Sequence, residues 1–419
     1  MRVLIVGAGL LGLTTAYFLC RRGCEVVVVD RAAGPGRETS FANGGMLHAS
    51  QANPWNEPGI LWRALGMLGR EDAPLLLRPR ALPRMLAWSL AFIRHSAPAR
   101  YHRSVALNAR LAKYSLAVMR ELRAECPFDY DYVGRGTLKI FRTADALAAG
   151  AALLAPLAAW DIPYTRVDGA GAAAIEPALL PVADHIAGGV HFPRDEAGDA
   201  HRFCVGLAAA CAGLGVEFRY GSAVAALHAL PRGMRARLLD GAEIEAAHCV
   251  LAAGSDSPLL ARALGLKLPV QPAKGYSITV PMNGWPAPPR VPVIDDHLHA
   301  AICPLGSRLR VAGTVEFTGY DVTPTPSRLA NLFALLERLY PAFAPYCDEA
   351  KAECWAGLRP MSADGVGLMG VTAVPGLYLN TGHGPLGWTM AAGAGKAVAD
   401  EVAGGAREFD LAPYRLARF

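Results

Sequence analysis

The chain has 419 residues, 53% apolar and only 18% charged, which allows a large buried core and excludes general disorder. Forty-one basic against 36 acidic side chains leave a charge of +5, too small an excess to mark a nucleic-acid binder. Nine cysteines with no CxxC pair argue against a disulfide framework or a metal site and for a reducing, cytoplasmic setting.

Residues 3–6 form an apolar, β-branched run that ends in Gly7-Ala8-Gly9. A helical pattern follows over 10–22, then Gly23, then a second strand over 26–29 closed by Asp30. Both strands are apolar throughout, the pattern of a parallel sheet covered on two faces. The uncharged stretch 3–20 has the look of an export signal. Gly7, Gly9 and Gly12 interrupt it, however, and Arg21-Arg22 stand where a cleavage site belongs, so it reads as part of the fold. No other uncharged run is long enough to span a membrane. Residues 34–60, rich in Gly, Asn, Ser and Pro, read as loop. Helices dominate 61–125, with Pro74, Pro79, Pro83 and Pro98 as breakers, and twelve Lys/Arg between 60 and 124 meet only Glu71, Asp72 and Glu121.

A strand is expected over 138–141 and a helix over 144–160. A second unit of similar build begins with a helix at 203–214, a strand at 216–220 and a meander to 239. It closes with an apolar strand at 249–253 ending in Gly254. Short strands alternating with prolines fill 268–315, and a helix covers 327–339. The chain finishes with a strand at 377–380, the turn Gly382-His383-Gly384 and a helix at 388–402.

Gly7-x-Gly9-x-x-Gly12 follows a strand and opens a helix, the setting in which the motif binds a dinucleotide. Gly7 permits the tight turn, Gly9 lets a pyrophosphate reach the backbone, and Gly12 lets helix and sheet pack closely. The helix start offers free N–H groups and a partial positive charge to phosphate. Asp30, eighteen residues after Gly12, is placed to accept hydrogen bonds from a ribose. The motif does not separate FAD from NAD. Two further features favour FAD: the polar, glycine-rich loop 38–46 directly after the second strand, and the strand–turn–helix at 377–388, whose helix could aim its positive end at a flavin. The expected fold is therefore α/β. It comprises a discontinuous Rossmann-type FAD-binding domain (1–80, 190–271 and 356–419) with an inserted mixed α+β substrate domain (81–189 and 272–355).

The chain resembles the glycine oxidase/D-amino acid oxidase class of FAD-dependent amine oxidoreductases, and within it the D-amino acid dehydrogenase small-subunit family. The matching stretches are VGAGLLG (6–12), VVVVDR (26–31), ETSFANGG (38–45), GTLKIFRT (136–143), DEAGDAHRF (195–203), LAAG (251–254), KGYSITVP (274–281), GLRPMSADG (357–365) and LNTGHGPLGWTMA (379–391). They run in order across the whole chain.

The resemblance implies noncovalent FAD, because the nearest cysteine to the stretch that carries a covalent flavin in sarcosine-oxidase relatives is Cys354. It places the cofactor against Gly7, Ala8, Gly9, Leu10, Leu11, Gly12, Asp30 and Arg31. It adds Thr39, Ser40, Asn43, Gly44, Gly45, Met46, Ala252, Ala253 and Gly254, and the turn Gly384, Pro385, Leu386, Gly387, Trp388 and Thr389. It carries the substrate-carboxylate role to Arg359 and looks for an active-site tyrosine hydroxyl at Tyr276, with His48 and His383 near flavin or substrate. The implied reaction is oxidative deamination of D-amino acids to 2-oxo acids and ammonia, with electrons passed to a quinone or other acceptor. The basic, partly apolar stretch 78–123 could rest on the inner face of the cell membrane. The rival readings are an oxygen-using oxidase of glycine, sarcosine, proline or hydroxyproline, a non-catalytic flavin subunit of a larger complex, and a nicotinamide-dependent dehydrogenase.

Overall fold

The structure, a computed structural model, describes residues 1–419 apart from Leu68, Asp72, Leu153, Leu298 and His299. A strand that is apolar on both faces needs cover on both. Arg2–Val6 shows how the chain supplies it: Val3 and Ile5 join one core and Leu4 and Val6 another. The first core is closed by the helices Leu10–Arg21, Ala200–Gly213 and Gly387–Ala403. The second is closed by an antiparallel meander, Val224–Leu230, Gly233–Leu238 and Glu243–Ala246.

Between the layers lies a six-stranded sheet in the order Leu368–Val371, Leu377–Thr381, His248–Leu251, Arg2–Val6, Glu25–Val29 and Glu217–Arg219. Every neighbouring pair is parallel except the first. The sheet is thus assembled from three separated parts of the chain.

The C-terminal helix is seated by small residues. A Cβ on Gly395 would lie 2.4 Å from Thr14 Oγ1, and one on Gly393 would lie 2.7 Å from Ser115 Cα. Thr14 adds a hydrogen bond to the Ala391 carbonyl at 2.9 Å. The second of these contacts comes from the helix Pro98–Glu125, whose Leu111, Ala112, Leu116 and Met119 sit in the nucleotide-side core. This helix was expected in the inserted domain and packs on the other one.

The remaining large sheet is nine-stranded among the described residues. It centres on Glu353–Ser362, Val270–Pro281, Arg308–Phe317 and Ala300–Leu305, covered on one face by the helix Pro326–Leu339. Leu75–Leu77, assigned above to the nucleotide-binding part, pairs with Arg308–Phe317 in this sheet. The alternating short strands expected over 268–315 include one twelve-residue strand, Val270–Pro281. Its Pro272 faces Pro360, so neither residue is asked to donate to the other. Pro83 and Pro98 begin helices rather than break them, since the missing N–H is not needed in the first turn. The helix expected over 144–160 is two, Ala144–Ala152 and Ala155–Ala159, with Leu153 between them outside the described residues.

Candidate active site

A cavity of about 1450 Å³ runs from the Gly7–Leu11 turn to the large sheet. That exceeds the roughly 300–1,000 Å³ of a site for one drug-sized ligand, so a dinucleotide and a small substrate both have room. At its nucleotide end each motif glycine has a measurable reason. Gly7 has φ +111°, and a Cβ there would sit 2.5 Å from the Ala252 carbonyl oxygen. A Cβ on Gly12 would sit 1.8 Å from the Gly7 oxygen. Gly9 caps the helix without a side-chain bond, while Ser40 Oγ accepts from Leu10 N at 3.2 Å. Asp30 lines the cavity with both oxygens engaged by backbone, from Ala8 N at 2.6 Å and Ala32 N at 2.8 Å. Each oxygen keeps a lone pair for a ribose hydroxyl. Ala252, Ala253 and Gly254 line the opposite wall.

The loop after the second strand bends along the cavity. Thr39 donates to the Leu358 carbonyl at 2.6 Å, and Asn43 accepts from Gly45 N at 3.0 Å. Gly45 has φ +72°, and a Cβ there would press on Cys303 Sγ at 3.1 Å. Met46 begins a short strand paired with Ala197, which leads to His48. Gly384–Trp388 close the cavity from the C-terminal side, and the helix Gly387–Ala403 has no side-chain cap at its start. Ala8, Gly12 and Thr389 do not line the cavity. Their work is behind it: Ala8 holds Asp30, Gly12 seats the helix, and Thr389 accepts from His48 N at 3.2 Å. The residues thus suit a dinucleotide carrying a flavin: close backbone approach, an uncapped helix start, and a buried His48 Nδ1 without a partner.

Both histidines line the cavity as neutral imidazoles. Burial pushes His48 down to about 4 and, with the Arg418 charge, His383 to about 3. His383 is oriented by Asn380 Oδ1 at 3.0 Å. Of the basic residues lining the cavity, Arg31 pairs with Glu38 and Asp256, Arg63 with Glu57, and Lys139 with Asp296. Arg359 has no carboxylate partner among the described residues. It lies in the cavity wall over Gly275, where a Cβ would fall 1.9 Å from its Nη1. Its guanidinium carbon is 5.6 Å from the Trp55 ring, and Nη1 lies 3.5 Å from the Thr314 carbonyl. Burial alone lowers it to about 10, so its surroundings disfavour the charge.

Tyr276 lines the cavity, but its hydroxyl is engaged elsewhere. Side chains alternate along a strand, and Gly275 lies under Arg359, so Tyr276 turns to the other face. It packs there in the core that Leu332, Leu335 and Leu336 of the helix Pro326–Leu339 share. Its hydroxyl donates to Glu316, which also receives Lys274 at 3.1 Å and Arg78 at 2.5 Å. The tyrosine hydroxyl thus joins a buried charge network.

Three cavity residues had no sequence signal. Trp55 sat in a segment read only as loop. Gly275 was passed over for its neighbour. Thr314 is a bulge residue: the register jumps from Gly275↔Val315 to Tyr276↔Gly313, leaving it unpaired at φ +56° with an unpartnered buried hydroxyl. A β-branched residue there is strained, and the bulge turns its carbonyl toward Arg359.

The arrangement can hold a flavin dinucleotide and present a carboxylate-binding cation within the same cavity. The comparisons agree on the flavin. A family model described as "FAD dependent oxidoreductase" matches residues 2–401. A D-amino acid dehydrogenase of Methylobacterium radiotolerans is 44% identical over 420 residues, covering 100% of both chains. One from Rhizobium johnstonii is 41% identical, again over 100% of both. Among solved structures, glycine oxidase from Geobacillus kaustophilus superposes with a TM-score of 0.79 at 23% identity over 100% of this chain and 99% of that one. L-proline dehydrogenase from P. horikoshii gives 0.78 at 17% identity, covering 100% and 97%.

Proposed function

The chain belongs to the family of FAD-dependent oxidoreductases, and on that footing we propose that it is a D-amino acid dehydrogenase, converting D-amino acids to 2-oxo acids and ammonia. The observation that carries this reading is Arg359, a desolvated guanidinium without a counter-charge among the described residues, in the cavity that suits the cofactor. A planar fork of this kind matches a carboxylate bidentately.

The Gly7–Gly12 turn, Asp30, the 38–46 loop and the 384–388 turn would hold FAD, which when bound would supply the two-electron acceptor for hydride from the substrate Cα. The protein's own contribution is placement. Arg359 fixes the carboxylate and therefore which face of Cα is presented. Gly275 and Thr314 hold the guanidinium flat against the sheet. The substrate amine must be neutral, since an ammonium has no lone pair to assist hydride departure. His48 and His383, both uncharged, do not compete with Arg359 for the carboxylate. Alignment and desolvation are the terms at work. None of the nine cysteines lines the cavity and Cys354 is exposed, which favours noncovalent binding of FAD.

Electrons leave to a quinone at a membrane surface. No helix among the described residues is long and apolar enough to cross a membrane. Instead Leu82, Leu86, Leu90 and Ile93 form one exposed stripe of the helix Leu82–His95, and Leu61 and the 77%-exposed Trp62 are exposed as well. Leu61 and Ile93 also line the cavity, so the apolar patch borders its mouth. The basic excess read from 60–124 is smaller than the sequence suggests, because Arg78, Arg80 and Arg123 pair with Glu316, Asp321 and Glu196 from distant segments. Arg84, Arg94 and Arg103 stay exposed and without an ion pair among the described residues, able to face anionic lipid.

Vesicles of anionic lipid loaded with a lipid-soluble quinone test this reading. The enzyme should float with them and reduce the quinone when given a D-amino acid, forming 2-oxo acid and ammonia one to one without oxygen uptake. Turnover that consumes oxygen and makes peroxide, by a protein that never floats, would identify an oxidase instead.

A further inference from the structure

The wall next to Arg359 is aromatic. Trp55, against the guanidinium, packs in one continuous cluster with Trp88, Met85, Phe317 and Met361. Met361 lies two residues beyond Arg359 on the same strand, hence on the same face. Trp88 is locked there: its indole N–H donates to the Met361 carbonyl at 2.9 Å, and its ring lies 4.8 Å from Phe92 and 5.8 Å from Phe317. All of these residues line the cavity. Trp55, Trp88 and Phe92 are only half-buried, where an aromatic of the core would be closed over. The charged pairs that also line the cavity, Lys139–Asp296 and Arg63–Glu57, are already internally satisfied at 2.6 Å each.

We propose that this wall is the side-chain pocket of the site and that the substrates are D-amino acids with large apolar or aromatic side chains, not D-alanine or the acidic D-amino acids. The inference rests on the carboxylate role given to Arg359. With the carboxylate on that residue, the side chain has apolar surface to bury within the same cluster. A carboxylate side chain placed against these rings would lose water, while the other cations lining the cavity are already paired. Burying a phenyl ring or a branched chain gives about a hundredfold in affinity over a methyl group.

Two measurements test it. The first is the binding of unreactive carboxylates to the FAD-loaded protein by calorimetry. 3-Phenylpropionate should bind about a hundredfold tighter than propionate, and glutarate no better than propionate. The second is the ratio of kcat/KM for D-phenylalanine to that for D-alanine. It should be well above one, and Phe92→Ala should lower it about tenfold. Equal binding of 3-phenylpropionate and propionate, or a ratio below one, overturns the inference. Displacement of 3-phenylpropionate by a short-chain quinone with no effect of Arg359→Met overturns it too and assigns the wall to the electron acceptor. The two failures separate: if propionate binding depends on Arg359 but the phenyl group adds nothing, the deamination reading survives. If Arg359→Met leaves every carboxylate bound as before, that reading falls as well.

Discussion

Arg359→Met should lower kcat/KM for the best D-amino acid by roughly 10²- to 10³-fold, the cost of removing one partner of a desolvated, bidentate charge pair. The loss falls on KM, since the carboxylate is held in ground and transition states alike, and on kcat to the extent that a loosely held substrate presents Cα wrongly. Arg359→Lys should recover only part of it, because a lysine keeps the charge but not the fork. What makes the prediction sharp is its companion. Arg359 has no ion pair among the described residues, and burial pushes it down to about 10, so its charge costs folding free energy. The methionine variant should therefore melt no lower than the parent. Unfolding curves read beside steady-state kinetics check both halves; a variant that loses activity and stability together would show that Arg359 is structural.

Gly12→Ala should yield a protein without bound FAD. The new methyl would lie 1.8 Å from the Gly7 carbonyl oxygen, a backbone atom that no rotamer change can move aside. Helix Leu10–Arg21 would have to leave the turn, and with it go the Leu10 amide beside Ser40 and the geometry of the wall under a pyrophosphate. Such overpacking costs about 1–3 kcal/mol, and here it falls on the cofactor site itself, so affinity for FAD should drop by roughly tenfold to more than a hundredfold. Gly23→Ala is the matched control. Gly23 also has a positive φ, +75°, but nothing lies within 4 Å of its added methyl. That variant should lose about 1 kcal/mol of stability and stay yellow. Visible flavin absorbance after gel filtration decides between them.

What could be read from the chain alone follows the reach of each signal. Gly7 and Gly12 were legible because a tight turn and a helix seat are local demands, met within a dozen residues. The covering of Arg2–Val6 on both faces was legible from its unbroken apolar run. Arg359 came from the resemblance, as no local pattern distinguishes it from a surface arginine. The partners of the Tyr276 hydroxyl were not legible, because they depend on which face of a strand it occupies, and that depends on Gly275 lying beneath a residue on a neighbouring strand. The ion pairs of the basic stretch were not legible for a similar reason: its counter-charges, Glu196, Glu316 and Asp321, come from far along the chain. The bulge at Thr314 had no signature, since a threonine inside an apolar run promises regular strand. The packing of the helix Pro98–Glu125 on the nucleotide-side core was not legible, because its small contact, Ser115 against Gly393, looks like any polar position until its partner is known.

The most direct test of the central claim is the reductive half-reaction alone. Purified yellow protein is mixed without oxygen or any acceptor with paired enantiomers, D- and L-phenylalanine, D- and L-leucine, D- and L-alanine, and with glycine, sarcosine and proline. D-Amino acids should bleach the flavin absorbance promptly, the apolar ones first, while their L partners leave it unchanged. Bleaching by L- or N-methyl substrates with the D series silent would contradict the assignment, and a yellow protein that none of them bleaches would show a flavin subunit that needs a partner to act.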